Sequence, residues 1–208
     1  MILFYTVTSP FQYDYRIKGS KFLGIINSAV SREEAEKQLS DVKSEHPAAT
    51  HHCYGFIIDP IEPDEMAADD GEPAGTAGLP ILNALRSFGM MNVILIVVRY
   101  FGGTKLGKPG LIEAYKETAI GTLKKAVLKK LIPVKTYRIL YDYSQQALID
   151  KLKHDFPVIE LSASYFEYIE LFIGCPLNIS EQFELTLSGK KHLFREIIRL
   201  EDTMHINH

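Results

Sequence analysis

Cysteine is scarce in this chain. Cys53 and Cys175 are the only two thiols in 208 residues, too few for a disulfide framework and in keeping with a reducing compartment. No stretch approaches the roughly 18 apolar residues of a membrane span. The apolar start from Met1 to Val7 lacks both a basic leader and a long apolar core. These absences point to a cytoplasmic protein with no membrane partner. A large excess of either charge is also missing: a formal net charge of −3 argues against a protein that coats nucleic acid non-specifically. With 46% hydrophobic, 11% aromatic and 24% charged residues, the composition is that of a globular chain able to bury a core. At ~150 residues per domain the length falls between one domain and two.

Glycine, by contrast, is concentrated in two loops. The first reads Asp69-Asp70-Gly71-Glu72-Pro73-Ala74-Gly75-Thr76-Ala77-Gly78 and the second Arg99-Tyr100-Phe101-Gly102-Gly103-Thr104-Lys105-Leu106-Gly107-Lys108-Pro109-Gly110. Between them Pro80 to Phe88 has helical spacing and Asn92 to Val98 is a β-branched apolar run, a buried strand. The two loops are therefore expected close together, flanking a crevice. Charge is asymmetric around it. Asp59 to Glu72 holds seven acids and no base, whereas Arg99 to Leu131 holds eight bases against Glu113 and Glu117. Charged loops and solvated helix ends account for such runs as readily as a binding surface does.

The remaining pattern is α+β. Tyr13 to Ile17 and Phe22 to Ala29 read as a hairpin. Ser31 with Glu34 starts a capped helix that ends before Pro47, and His52 to Ile58 reads as a strand. Asp59 to Glu65, with Pro60 and Pro63, reads as loop. Pro109 fits the first turn of a helix carrying Leu111, Tyr115, Ala119, Leu123, Ala126 and Val127 on one stripe. Lys124, Lys125, Lys129 and Lys130 fall where its dipole favours cations, and Pro133 closes it. A domain boundary is expected there, giving domains 1–132 and 133–208. The second half reads Val134–Tyr141, Ser144–His154, Val158–Ser164, Tyr165–Gly174, Ile179–Ser188 and Leu193–Leu200 as β-α-β-β-α-β, a ferredoxin-like split-βαβ order, with Phe166 to Ile173 the clearest strand.

Three constellations carry possible chemistry. Gly102 to Lys108 matches G-x-x-x-x-G-K between a strand and a helix. Pro109, however, replaces the hydroxyl residue that holds magnesium in a nucleotide hydrolase. What survives is an anion site such as an RNA phosphate would use, built from glycine amides, a helix N-terminus, Lys105 and Lys108; a tight turn is the plainer alternative. His51, His52 and Cys53 raise a metal question, with Asp69, Asp70 and Glu72 as further donors, but alternation on a strand splits the three and no second ligand pair at zinc spacing exists. Ordinary packing roles are favoured and no cofactor is expected. Arg99 either stacks on bases beside Tyr100 and Phe101 or pairs with Asp69, Asp70 or Glu72 across the crevice. Cys53, Ser20, Thr76 and Thr104 lack any partner pattern that marks a nucleophile.

The strings Asp70-Gly71-Glu72-Pro73 with Gly75-Thr76-Ala77-Gly78, and Val98 to Gly107 with Gly110-Leu111 and Ala114-Tyr115, resemble the YigZ/Impact family, as does Ser20-Lys21-Phe22. The motifs cover roughly residues 13 to 131; the second half resembles the bacterial two-domain members by element order. The chain departs from the pattern at Pro109, where a small residue is usual, and at Glu113, often basic. The resemblance implies a first domain like the second domain of ribosomal small-subunit protein five, a mixed sheet with helices on one face. It implies a second domain like the last domain of elongation factor G. Both relatives bind RNA or the ribosome, and the eukaryotic members act in regulation of translation through protein partners. The expectation is a translation-associated protein contacting RNA, the ribosome or a translation-regulatory protein. Its binding residues would be Lys21, Arg99, Gly102, Gly103, Lys105, Lys108, Lys124 and Lys125, with Asp69, Asp70, Gly71, Glu72, Gly75, Thr76 and Gly78 shaping the crevice. A phosphate-ester or nucleotide hydrolase using the same crevice is the alternative.

Overall fold

A computed structural model describes residues 4–59 and 62–206. Pro60, expected in a loop, lies outside the described residues. The chain divides into two compact units, one formed by residues up to Leu131 with Ile206 at the C-terminal end, the other by Ile132–His205.

The first unit is built on strands β1 (Phe4–Val7), β2 (Phe11–Ile17), β3 (Ser20–Ser28), β4 (His51–Ile58), β5 (Asp64–Ala68) and β6 (Val93–Tyr100), with helices α1 (Arg32–Glu45), α2 (Gly78–Ser87) and α3 (Gly107–Lys125). Five strands form one sheet in the order β2-β3-β6-β4-β5. Central β6 is buried along Val93–Arg99 because it is covered on both faces, which explains its unbroken apolar run. Helix α1 covers one face: Ala35 and Val42 share a cluster with Leu23, Phe56, Ile94, Ile96 and Val98. Ser31 Oγ accepts from the Glu34 N–H at 3.3 Å, and the Glu34 carboxylate accepts from Val30 N–H at 3.0 Å. The other face meets α2 and α3. A Cβ at Gly55 would sit 3.1 Å from the Leu82 backbone and one at Gly24 only 2.1 Å from Thr122 Oγ1, so these two glycines let the helices approach.

Several expectations are corrected. The sheet is antiparallel at every described pairing and its helices lie on both faces, where a mixed sheet with helices on one face was implied. Asp64 and Glu65, expected in a loop, begin β5, because Asp64–Ala68 pairs with Tyr54–Ile58. Helix α3 ends at Lys125 rather than near Pro133. Ala126 is extended at φ −68° and ψ 151°, and Leu128–Leu131 pairs instead with β1. Lys129 and Lys130 are thus strand residues, outside the reach of the α3 dipole, and Val127 is exposed.

In the second unit β7 (Leu128–Tyr141, through its part from Val134 onward) pairs antiparallel with β9 (Ile169–Pro176), which pairs with β8 (Ile159–Tyr165). On the other side β10 (Glu196–Arg199) pairs with β7, as does β11 (Thr203–Ile206). Helices α4 (Gln146–Asp155) and α5 (Ser180–Lys190) bury Ile149, Leu152, Phe183 and Leu187 in one cluster with Tyr137, Ile139 and Leu171. Phe166 to Tyr168, expected inside a strand, form the β8–β9 turn instead: Phe166 N–H donates to the Tyr168 carbonyl at 3.0 Å, leaving Phe166 exposed. The aromatic run imitates a strand while its backbone reverses.

The close packing at Gly24 yields a stability test. Gly24→Ala should destabilise the protein by about 1–3 kcal/mol in urea unfolding, the usual cost of overpacking. Adding Thr122→Ala, which removes the obstructing hydroxyl, should recover most of that loss.

Candidate functional site

The edge formed by the C-terminal end of β6 and the start of β4 brings the two glycine-rich loops together. Register places Phe22, Arg99 and His51 in one row across β3, β6 and β4, and alternation points all three, with Cys53, to the face that carries α3. Arg99 Nη1 donates to Glu72 Oε1 at 2.5 Å. Of the three acids offered to Arg99 by the sequence, the partner is Glu72. Both side chains are buried, with 6% and 4% of their surface exposed. The Tyr115 hydroxyl on α3 donates to the same oxygen at 2.8 Å. Phe22 and Phe101 each place a ring centroid 5.4 Å from the Arg99 guanidinium carbon, which offsets desolvation of the cation. Arg99 Nε is buried without a hydrogen-bond partner among the described residues.

The first loop is held by its own acids. Asp69 accepts from Gly75 N–H at 2.8 Å and from Ala77 and Gly78 N–H at 2.9 Å each, so it caps α2 in place of Ala77, which cannot. Partial burial pushes the Asp69 carboxyl up, but the three backbone donors outweigh it and hold the pKa below the ordinary value. Asp70, at φ +43°, accepts from His52 N–H at 2.6 Å and from Lys43 Nζ at 3.2 Å. Its carboxyl is likewise held low against the opposing effect of burial. Gly71 and Gly75 take φ +89° and +74°, the region glycine enters freely. Thr76 is buried and its hydroxyl donates to the Pro73 carbonyl at 2.6 Å. Gly78 packs against β5, where a Cβ would come within 2.5 Å of the Ala68 backbone.

The second loop is anchored at one end and open at the other. A Cβ on Gly102 would overlap the Gly19 backbone at 1.9 Å, and Gly102 N–H donates to the buried Ser20 hydroxyl at 3.1 Å. That amide, expected at an anion, is occupied by the β2–β3 turn. Gly103 has open space around it at φ +85°. Pro109 lies in the first turn of α3, with Lys105 and Lys108 exposed beside it and in no ion pair among the described residues. Together the loops bound a cleft of about 490 Å³ with Glu72 and Arg99 at its base, His51 and Phe101 on its rim, and Lys105, Leu106, Lys108 and Leu111 along one wall.

Not every expected binding residue converges there. Lys21 follows the opposite face from Phe22 and pairs with Asp14 at 3.0 Å. Lys124 and Lys125 lie about 25 Å along α3 from Lys108 at 1.5 Å per residue, and Lys125 Nζ rests 4.5 Å over the Tyr13 ring. His52 Nε2 bonds the His46 carbonyl at 3.1 Å. His51 Nδ1 bonds the Asp70 carbonyl at 2.8 Å and its Nε2 lies 4.0 Å from Glu72 Oε1. Cys53 Sγ lies 3.0 Å from the Asp69 carbonyl and 3.3 Å from the Tyr115 hydroxyl, and burial pushes its thiol up to about 12. Burial raises Tyr115 as well. His51, Phe101 and Tyr115 are among the site residues that sequence reasoning left outside its binding set. Alternation from Arg99 would have placed His51 had the β4–β6 register been known.

A family model described as the Impact N-terminal domain matches residues 18–123. An IMPACT family member of Haemophilus influenzae is 32% identical over 180 residues, spanning 86% of this chain and 87% of that protein. The IMPACT family member YigZ of Escherichia coli is 29% identical over 188 residues, spanning 89% and 92%. A solved crystal structure described as that of a hypothetical protein is 26% identical with a TM-score of 0.69, covering 97% of this chain and 98% of that one.

Two outcomes follow from this network. Glu72→Leu should cost about 3–5 kcal/mol by stranding a buried guanidinium, while Glu72→Leu with Arg99→Met should cost less than the sum of the single changes in a urea double-mutant cycle. Asp69 stabilises the folded state above its unfolded pKa of ~3.9, and that contribution is lost as pH falls through the lower folded value. Asp69→Asn should therefore cost about 1–2 kcal/mol at neutral pH, and its unfolding curves should converge on the parent's as pH drops below about 4.

Proposed function

The chain belongs to the Impact family, and from that premise we propose that it is a translation-associated binding protein whose glycine-loop cleft receives a phosphate of RNA, free or within the ribosome. The observation that carries this reading is the division of charge at the cleft. Asp69, Asp70 and Glu72 are all engaged by backbone amides, Lys43 and Arg99, so every acid of the loop is satisfied and two of the three face a cation. Lys105 and Lys108 on the facing wall make no ion pair among the described residues. A cleft whose anions are satisfied and whose cations are not favours a polyanion.

Binding is favoured over hydrolysis by the same residues. The thiol of Cys53 and the phenol of Tyr115 have raised pKa values, so at neutral pH neither offers an ionised nucleophile. Gly102 and Pro109, two positions a nucleotide hydrolase would use at the phosphates, are a backbone packing contact and a helix-turn proline. The sheet order β10-β7-β9-β8 with two helices supports reading residues 133–208 as a ferredoxin-like domain similar to the last domain of elongation factor G. Residues 1–132 would be the Impact-like domain that carries the cleft.

The test is co-sedimentation with ribosomes and binding of single-stranded RNA across a salt series. Each phosphate contact should add about −0.7 to the log–log slope. Lys105→Glu with Lys108→Glu should flatten the slope by about 1.4 while leaving the circular dichroism spectrum unchanged. Binding indifferent to salt would direct the reading to a translation-regulatory protein instead.

A further inference from the structure

Two features of the cleft are not explained by affinity for phosphate. The first is the pairing of His51 with Glu72. Because the Asp70 carbonyl only accepts, His51 Nδ1, 2.8 Å from that oxygen, is the donor, and Nε2 is left facing the Glu72 carboxylate. Nε2 and Glu72 Oε1 are 4.0 Å apart, too far for a hydrogen bond and close enough for one small polar group to touch both. A hydroxyl, which both donates and accepts, suits that gap. With the ring protonated, the hydroxyl accepts from Nε2–H and donates to the Glu72 carboxylate, using its one hydrogen and one lone pair. A peptide N–H only donates and an ether oxygen only accepts, so neither bridges the pair.

The second feature is Phe101. Its ring lies against the Arg99 guanidinium, which Phe22 backs from another side, yet the residue keeps 46% of its surface exposed at the rim. An aromatic ring fixed from behind by a buried cation and open in front is a platform for a nucleobase. The cleft volume of about 490 Å³ falls in the range of small-molecule sites, ~300–1,000 Å³.

We propose that the cleft reads ribose: one unpaired ribonucleotide enters with its 2′-hydroxyl between His51 Nε2 and Glu72, its base on Phe101 and its phosphate at Lys105 and Lys108. This rests on the RNA reading above and adds to it a discrimination between RNA and DNA, since the 2′-hydroxyl is the group that tells them apart. Arg99 and Tyr115 are positioning residues, holding the Glu72 carboxylate in place.

The experiment measures fluorescence anisotropy of the full chain with three labelled 12-mers of one mixed sequence: RNA, DNA and 2′-O-methyl RNA, which keeps the oxygen but loses its hydrogen. RNA should bind about tenfold more tightly than either of the others, the equivalent of one well-formed hydrogen bond. His51→Asn, whose amide can still donate to the Asp70 carbonyl but has no group at the Nε2 position, should weaken RNA to the DNA level and leave DNA unchanged. Phe101→Ala should weaken all three by roughly tenfold. Equal affinity for all three oligonucleotides, with Lys105→Glu and Lys108→Glu still weakening them, would overturn the ribose reading and leave the anion cleft standing. Failure of every oligonucleotide to bind at low salt would overturn both. Tighter binding of hexaglutamate than of RNA would replace the nucleic acid by an acidic protein segment. Should His51→Asn not fold, the comparison of the three oligonucleotides on the parent protein decides alone.

Discussion

The first unit depends at its functional edge on one buried ion pair, Arg99 with Glu72. Removing two charges from water costs several kcal/mol each unless geometry and further hydrogen bonds compensate. Here the compensation is visible: a short charge-assisted bond, a phenol donating to the same carboxylate oxygen, and two aromatic rings against the guanidinium. Each of these partners comes from a different element. Arg99 is the last residue but one of β6, Glu72 sits mid-loop, Tyr115 is on α3 and Phe22 is on β3. The pair is consequently the point at which strand, loop and helix agree on one position, and the cleft inherits its shape from that agreement.

The same economy of contacts decides which charges face outward. A loop with three acids in four residues would ordinarily repel an anionic ligand. Its acids instead turn inward, Asp69 to amides of its own loop, Asp70 to the start of β4 and to α1, Glu72 to Arg99. The basic wall at Lys105 and Lys108 is then uncancelled, although the chain as a whole is acidic. Net charge is thus a poor guide to this surface; the orientation of a few carboxylates governs it.

Much of this architecture was legible in advance, where local chemistry is sufficient. The β6 run reads as a buried strand because both its faces are covered, and Ser31 with Glu34 marks the start of α1 because the capping bonds are local. Legibility failed where distant partners decide. Asp64–Ala68 becomes a strand only through β4, Lys129 and Lys130 leave the helix only because β1 is there to pair with, and Phe166 to Tyr168 turn despite strand-forming aromatics. At the site, the motif strings marked the two loops that bound the cleft, but the partner of Arg99 could be any of three acids until the loop was folded. Lys21, adjacent in sequence to Phe22, lies on the other face for the simple reason that strands alternate. Gly102 shows the limit most clearly: a glycine that looks reserved for a ligand is required by the backbone of Gly19.

One carboxylate, that of Asp69, holds three amides at once. Those amides belong to a stretch spanning the loop and the first residue of α2, so one side chain ties the glycine-rich turn to the helix that follows it. One oxygen takes Gly75 and the other takes Ala77 and Gly78, so both oxygens of the carboxylate are committed to the loop. A segment rich in glycine, with few side chains of its own to hold it, is thereby given its fixed points by a single residue.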